Sequence, residues 1–273
     1  FAMANQVSDI KVGIIGAGTM GEAFIAALIR AGVPTSSITA VVRRPEHGVE
    51  LLQKYPITIA EMRVAISTSD VLILGVKPQG LSELLPEIAK DLPAHTLVVS
   101  LLAGKTIAGL AAGLGAETPI ARVMPNTPTL IGKGMAGYSL SQSVTATQKE
   151  FITKLLAATG KAIEIPEELQ NALTGTSGSG PAYFFRLVEA MVAGAEKLGL
   201  SHEDANTLTI QTIVGAAALL ETSGQSPTKL RESVTSLKGA TAEAIAVFDE
   251  ANLDEIVAQA MAASARRAGE LAQ

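Results

Sequence analysis

The chain has 273 residues, 48% of them hydrophobic and 17% charged, which is enough to bury one large domain or two modest ones and excludes a disordered polypeptide. A formal net charge of -5 with no Lys/Arg run excludes an ordinary nucleic-acid binder, and no apolar stretch reaches the ~18 residues that span a bilayer. The absence of cysteine excludes disulfides and thiolate chemistry, and His47, His95 and His202 lack ligand spacing, so no metal site is expected.

The N-terminal stretch Phe1–Asn5 has no basic segment leading into an apolar one, so no signal peptide is read there. The first residues read as a cloning remnant with Met3 as the natural start, and a cytoplasmic location is expected. Lys11–Gly16 is a run of strand formers ending in glycine, and Thr19–Ala31 has a helical pattern stopped by Gly32. Further strands are expected at Ile38–Arg43, Val71–Val76, Leu97–Leu101 and Ile120–Met124. Such near-continuous apolar runs suit a mostly parallel sheet with helices on both faces. Gly134–Leu140 and Lys161–Ile165 read as later strands at the sheet edge, closing an α/β domain over residues 1–166.

Residues 167–273 read as all helical. Ala182–Leu198 is an unbroken helix ended by Gly199, and Ser201 with Asp204 caps a helix over Glu203–Glu221. A shorter helix covers Pro227–Val234, and an Ala-rich helical region runs from Ala240 to the end with an interruption near Asn252. The small residues on these helices suit close helix packing, including packing between subunits.

Gly16-Ala17-Gly18-Thr19-Met20-Gly21 is a G-x-G-x-x-G between a strand and a helix. Gly16 permits the turn, Gly18 allows close approach to a pyrophosphate, and Gly21 lets the helix pack on the strand. Free amides and the positive helix end then favour phosphate. A glycine turn without a ligand is the alternative. Sites that take NAD usually carry Asp or Glu after the second strand; here that place holds Arg43 and Arg44, with Glu46 the nearest acid. Guanidinium groups suit a 2′-phosphate, so NADPH is expected, with NADH possible. Lys77, in Val76-Lys77-Pro78 after a strand, either flanks the cofactor or is a surface lysine.

Four strings then carry a resemblance: Ser100-Leu101-Leu102-Ala103-Gly104; Arg122-Val123-Met124-Pro125-Asn126-Thr127-Pro128; Ser177-Gly178-Ser179-Gly180-Pro181-Ala182-Tyr183; and Leu230 through Thr241. In this order and spacing the chain resembles the pyrroline-5-carboxylate reductase family over nearly its whole length. The resemblance implies a Rossmann domain, a doubly wound and mostly parallel sheet, followed by an all-α dimerisation domain. It implies a homodimer or a larger homo-oligomer. It also implies hydride transfer from NAD(P)H to the C=N carbon of 1-pyrroline-5-carboxylate, giving L-proline.

Carried over by position, the resemblance puts Gly16, Gly18, Thr19, Met20 and Gly21 at the pyrophosphate and Arg44 at the 2′-phosphate. Gly75, Val76, Lys77 and Pro78 fall on the adenosine side, Leu102 and Ala103 by the nicotinamide ribose, and Asn126 and Thr127 near the nicotinamide. Ser236, Gly239, Ala240 and Thr241 form the implied substrate site. The family's S-P-G-G-x-T reads Ser236-Leu237-Lys238-Gly239-Ala240-Thr241 here, losing a proline and a glycine, and Met62 stands where a polar residue usually contacts the adenosine.

Chemically, the amides at the start of a helix at Gly239–Thr241 suit a carboxylate, Ser236 adds a hydroxyl, and Thr241 Oγ is the candidate catalytic partner of the imine nitrogen. Thr241 as a plain helix cap is the alternative. No strong general acid is evident, and an imine that enters protonated does not require one. A β-hydroxyacid dehydrogenase shares the two-domain plan but needs a lysine where this chain has Phe184, and an alcohol proton needs a base. Reduction of a related six-membered cyclic imine, or a non-catalytic NADPH sensor, are the remaining alternatives.

Overall fold

The computed structural model describes residues 9–77 and 80–271. Its elements in chain order are β1 (Val12–Ile15), α1 (Thr19–Arg30), β2 (Ile38–Val41), α2 (Pro45–Lys54), β3 (Thr58–Ile59), α3 (Met62–Ser67), β4 (Val71–Leu74), α4 (Leu81–Asp91), β5 (Leu97–Ser100) and α5 (Ile107–Leu114). There follow β6 (Ile120–Met124), β7 (Gly134–Leu140), α6 (Ala146–Ala157), β8 (Gly160–Glu164) and α7 (Gln170–Leu173). The chain ends in α8 (Gly180–Lys197), α9 (His202–Thr222), α10 (Pro227–Ser233), α11 (Ala240–Glu250) and α12 (Leu253–Glu270).

The strands form one sheet in the order β3-β2-β1-β4-β5-β6-β7-β8. The first six are parallel, β7 runs antiparallel to β6, and β8 runs parallel to β7. The expected α/β architecture and its mostly parallel sheet are thus present. The two-residue β3 was not expected from the sequence.

Strand alternation explains why the runs are apolar throughout. In β4, Val71 and Ile73 face one side of the sheet, with Phe24 and Leu28 of α1 and Ile152 and Leu155 of α6. Leu72 and Leu74 face the other side, with Leu85 and Ile88 of α4 and Leu110 of α5. Each such fully buried side chain contributes roughly 1.5–3 kcal/mol of hydrophobic stabilisation, so helices on both faces are what make the sheet stable.

The chain divides into two compact units, one running through Ser179 and taking up the chain again from Ala262, the other Gly180–Met261. In the second unit α8 packs on α9. The start of α9 is capped as expected, Ser201 Oγ accepting from the Asp204 amide at 3.1 Å. Asn252, at φ 59°, makes the break between α11 and α12, a left-handed conformation that asparagine tolerates. Phe184, Phe185, Ile210, Val214 and Val247 are exposed on these helices. Among the described residues no helix is long and apolar enough to cross a membrane.

Candidate active site

The strand order reverses between β1 and β4, and ligands of open α/β sheets bind beyond the carboxyl ends of the strands at that point. Here two glycines meet. Gly16 leaves β1 with φ 92°, and a Cβ on it would lie 2.6 Å from the Val76 nitrogen. A Cβ on Gly75, just after β4, would lie 2.6 Å from the Gly16 carbonyl oxygen. Gly21 in the first turn of α1 also packs directly on the Gly16 carbonyl. Gly18 differs: it is the N-cap of α1, has no side-chain cap, and a Cβ on it would meet no protein atom within 4 Å. The loop is therefore pressed flat on the sheet from below and left open above its helix amides. That shape and donor set fit the pyrophosphate of a dinucleotide.

A cleft of ≈ 630 Å³ above this loop is lined by Gly16, Gly18, Gly75, Val76 and Lys77, and also by Arg43 and Arg44. Arg44 is the N-cap of α2, whose first residue is Pro45. Both arginines are exposed and free to turn toward an anion. Thr19 is exposed in the first turn of α1, and Met20 is partly buried against the core. Pro78 lies outside the described residues. A larger cleft of ≈ 940 Å³, lined by Ser139, Glu164 and Glu167, opens at the other end of the strands and has no glycine loop.

His47, one turn into α2, also lines the cofactor cleft. Its Nε2 donates to the Ala17 carbonyl at 2.6 Å and its Nδ1 lies 3.2 Å from Glu50 Oε2. Hydrogen bonding to Ala17, then to Glu50, raises its pKa above the ordinary histidine value, while burial and Arg44 oppose this. Metal-ligand spacing does not mark this residue in the sequence; its place three residues after Arg44 does.

Leu102, after β5, is buried in the second core cluster, so only its backbone faces outward chemistry, and Ala103 beside it is half-buried. Asn126, after β6, is buried with its amide engaged: Nδ2 donates to the Ser177 carbonyl at 3.1 Å, and Oδ1 accepts from the Met135 amide at 2.9 Å. Thr127 is exposed at the start of a short 3-10 turn. Ser177 belongs to a π-helical turn, Thr174–Gly178.

In the second unit, Ser236 and Gly239 close a turn ahead of α11, the Gly239 amide donating to the Ser236 carbonyl at 2.9 Å. Gly239 is the N-cap with no side-chain cap, and Ala240 and Thr241 open the helix and are exposed. The Ala240 and Thr241 amides have no partner inside the helix, whereas the Ala242 amide donates to the Gly239 carbonyl at 3.0 Å. Lys238 stands at φ 60°. The glycine that this chain lacks thus falls on a left-handed position, and lysine adopts that conformation in its place.

Comparison with known proteins gives this geometry a family. The model for pyrroline-5-carboxylate reductase dimerisation matches residues 167–271, and that for coenzyme F420-dependent NADP oxidoreductase matches 11–104. Pyrroline-5-carboxylate reductase of Pseudomonas aeruginosa is 39% identical over 98% of this chain and 98% of its own length. The solved structure of the Coxiella burnetii pyrroline-5-carboxylate reductase superposes with TM-score 0.89 at 32% identity, covering 97% of this chain and 99% of that one. Pyrroline carboxylate reductase of Plasmodium falciparum, solved with NADP bound, gives TM-score 0.88 at 26% identity over 97% and 99%. A Rossmann sheet carrying the glycine loop, followed by helices that match the dimerisation model over almost their full extent, leaves one conclusion: this chain belongs to the pyrroline-5-carboxylate reductase family.

Proposed function

We propose that the chain reduces 1-pyrroline-5-carboxylate to L-proline with NADPH as the reductant, in proline biosynthesis. The observation that carries this reading is the flat glycine loop at the sheet's switch point, with arginines instead of a carboxylate beside it. Bound NADPH supplies a hydride to the C=N carbon. The chain's own residues bind, orient and exclude water.

The amides above Gly18 and the start of α1 take the pyrophosphate, with Thr19, Met20 and Gly21 forming that first turn. Arg43 and Arg44 take the 2′-phosphate, which favours NADPH over NADH because guanidinium pairs with phosphate through parallel hydrogen bonds. Gly75, Val76 and Lys77 flank the adenosine. Leu102 and Ala103 border the nicotinamide ribose, and Asn126 and Thr127 the nicotinamide. The carboxylate of the substrate is held by the amides of Ala240 and Thr241 and by the Ser236 hydroxyl, with Gly239 closing the turn beneath it. Thr241 Oγ is the catalytic hydrogen-bond partner of the ring nitrogen. Positioning two reactants in this way lowers a barrier by up to roughly 7–11 kcal/mol in favourable systems.

Residues 1–166 form the dinucleotide-binding domain and 167–273 the dimerisation and substrate domain. The exposed apolar residues of α8, α9 and α11 support burial against a second copy of the chain, giving a homodimer or a larger ring, and a cytoplasmic enzyme. The β-hydroxyacid dehydrogenase alternative is disfavoured by Phe184, an exposed side chain on α8 that offers no base.

The test is oxidation of NADPH, followed at its near-ultraviolet absorbance, with the five-membered imine and with its six-membered homologue. Turnover with the five-membered ring and a lower KM for NADPH than for NADH are expected. No oxidation with either imine would overturn the assignment.

A further inference from the structure

His47 joins two parts of the dinucleotide cleft that are distant in sequence. Its ring reaches from the first turn of α2 to the Ala17 carbonyl, in the middle of the glycine loop. A carbonyl oxygen only accepts, so Nε2 carries a proton. The Glu50 carboxylate at 3.2 Å also only accepts, so Nδ1 is a donor as well when that bond is made. Both bonds together require the imidazolium. A neutral ring keeps the Ala17 bond but turns a lone pair toward the carboxylate, and Glu50 is exposed and free to swing away.

We propose that His47 is a positioning residue for cofactor choice: its Ala17 bond ties the amino end of α2, with Arg44 at its cap, to the glycine loop, and the imidazolium, braced by Glu50, holds that tie in one orientation and so fixes the span between the pyrophosphate amides and the guanidinium that meets the 2′-phosphate. The inference rests on the dinucleotide reading of this cleft. NADH carries only a neutral 2′-hydroxyl at the Arg44 end, so the span matters for NADPH and little for NADH. The positive ring also adds to the field of Arg43, Arg44 and Lys77, which line the same cleft.

The ionisable groups acting on the ring are Glu50 and Arg44, both on α2, while the glycine loop presents the Ala17 carbonyl. The balance favours the charged form and raises the pKa. The sign is therefore fixed: the Glu50 brace and the positive charge are present at low pH and are lost as pH rises through the raised value, while the Ala17 bond remains. NADPH affinity weakens over that range relative to NADH affinity.

Calorimetric titration of NADPH and NADH against the wild type and His47→Gln, from pH 6.5 to 9, tests this. Glutamine keeps one donor for Ala17 but cannot titrate. In the wild type the ratio of the NADPH Kd to the NADH Kd is expected to climb about fivefold across the range, and in His47→Gln to stay flat. Use of the variant as reference cancels the titration of the 2′-phosphate itself, which is centred near pH ~6. Should His47→Gln fold poorly, wild type alone decides: at pH 8, titrations in buffers of different ionisation enthalpy are expected to show greater proton uptake with NADPH than with NADH. The same ratio in both proteins at every pH, or equal proton uptake with the two cofactors, overturns the role of His47. Failure of the wild type to bind either dinucleotide overturns the cleft reading and this inference together.

Discussion

Asn126 and Ser177 are joined by a 3.1 Å hydrogen bond from the Asn126 Nδ2 to the Ser177 carbonyl, 51 residues apart in sequence. With the bond from the Met135 amide to its Oδ1, this one buried side chain ties the end of β6, the start of β7 and the π-helical turn into a single unit. Removing it leaves a half-buried donor and a half-buried acceptor without this partner, at up to about 1–3 kcal/mol each. Asn126→Ala is expected to lower the melting temperature by several degrees, at roughly 2–4 °C per kcal/mol for a chain of this size. Asn126→Asp keeps the acceptor for Met135 and loses the donor, and should melt between the two. Thermal denaturation by circular dichroism measures both.

Gly75 and Gly18 lie on either side of the same loop and should fail differently. Gly75→Ala drives a methyl group to 2.6 Å from the Gly16 carbonyl, where backbone must move. A loss of about 1–3 kcal/mol in folding stability is expected from such overpacking. Gly18→Ala meets no protein atom within 4 Å. Its stability should stay within about 0.5 kcal/mol of wild type, while NADPH binding is expected to weaken roughly tenfold if the pyrophosphate approaches at Gly18 as proposed. Urea unfolding and NADPH titration on the two variants separate the effects.

Thr241→Ala tests the chemical step. Loss of a hydrogen bond to a charged group is worth about 1.5–3 kcal/mol, so kcat is expected to fall roughly tenfold to a hundredfold. NADPH affinity should change by less than about twofold, because the cofactor's pyrophosphate and 2′-phosphate ends are held elsewhere. Steady-state kinetics with a separate cofactor titration reads the split. Equal loss in both quantities would remove the role given to this hydroxyl.

Lys238 holds a left-handed conformation at φ 60°. For a residue with a Cβ this costs roughly 1–2 kcal/mol, partly offset by the roughly 0.5–1 kcal/mol that glycine loses through its freer unfolded chain. Lys238→Gly is therefore expected to be neutral to slightly stabilising, by up to about 1 kcal/mol. Lys238→Val, with a β-branched side chain, should be clearly destabilising. Denaturant midpoints rank the three proteins.

The centre of the sheet was legible because β1, β4 and β5 are buried on both faces and read as apolar runs; β3, with only Thr58 and Ile59, is too short to leave such a trace. The glycine loop was legible because turn, helix start and packing are encoded within six consecutive residues, Gly16 to Gly21. What the sequence hid is contact across distance. Gly75 reads as a cofactor neighbour, yet the Gly16 carbonyl alone excludes a side chain there. His47 lies 30 residues from Ala17, and only folding brings them together. The bonds of Asn126 are equally invisible until β6 and β7 pair.

The two rims of the sheet bear on how the protein behaves when crowded. One rim is β3, two residues long, which offers almost no ladder for a foreign strand. The other is β8, where Lys161 and Glu164 put charge on the edge and Glu164 is held by Lys149 at 2.6 Å. Short or charged margins of this kind resist pairing with a neighbouring chain. Strand-by-strand addition of another chain is thereby disfavoured at both ends.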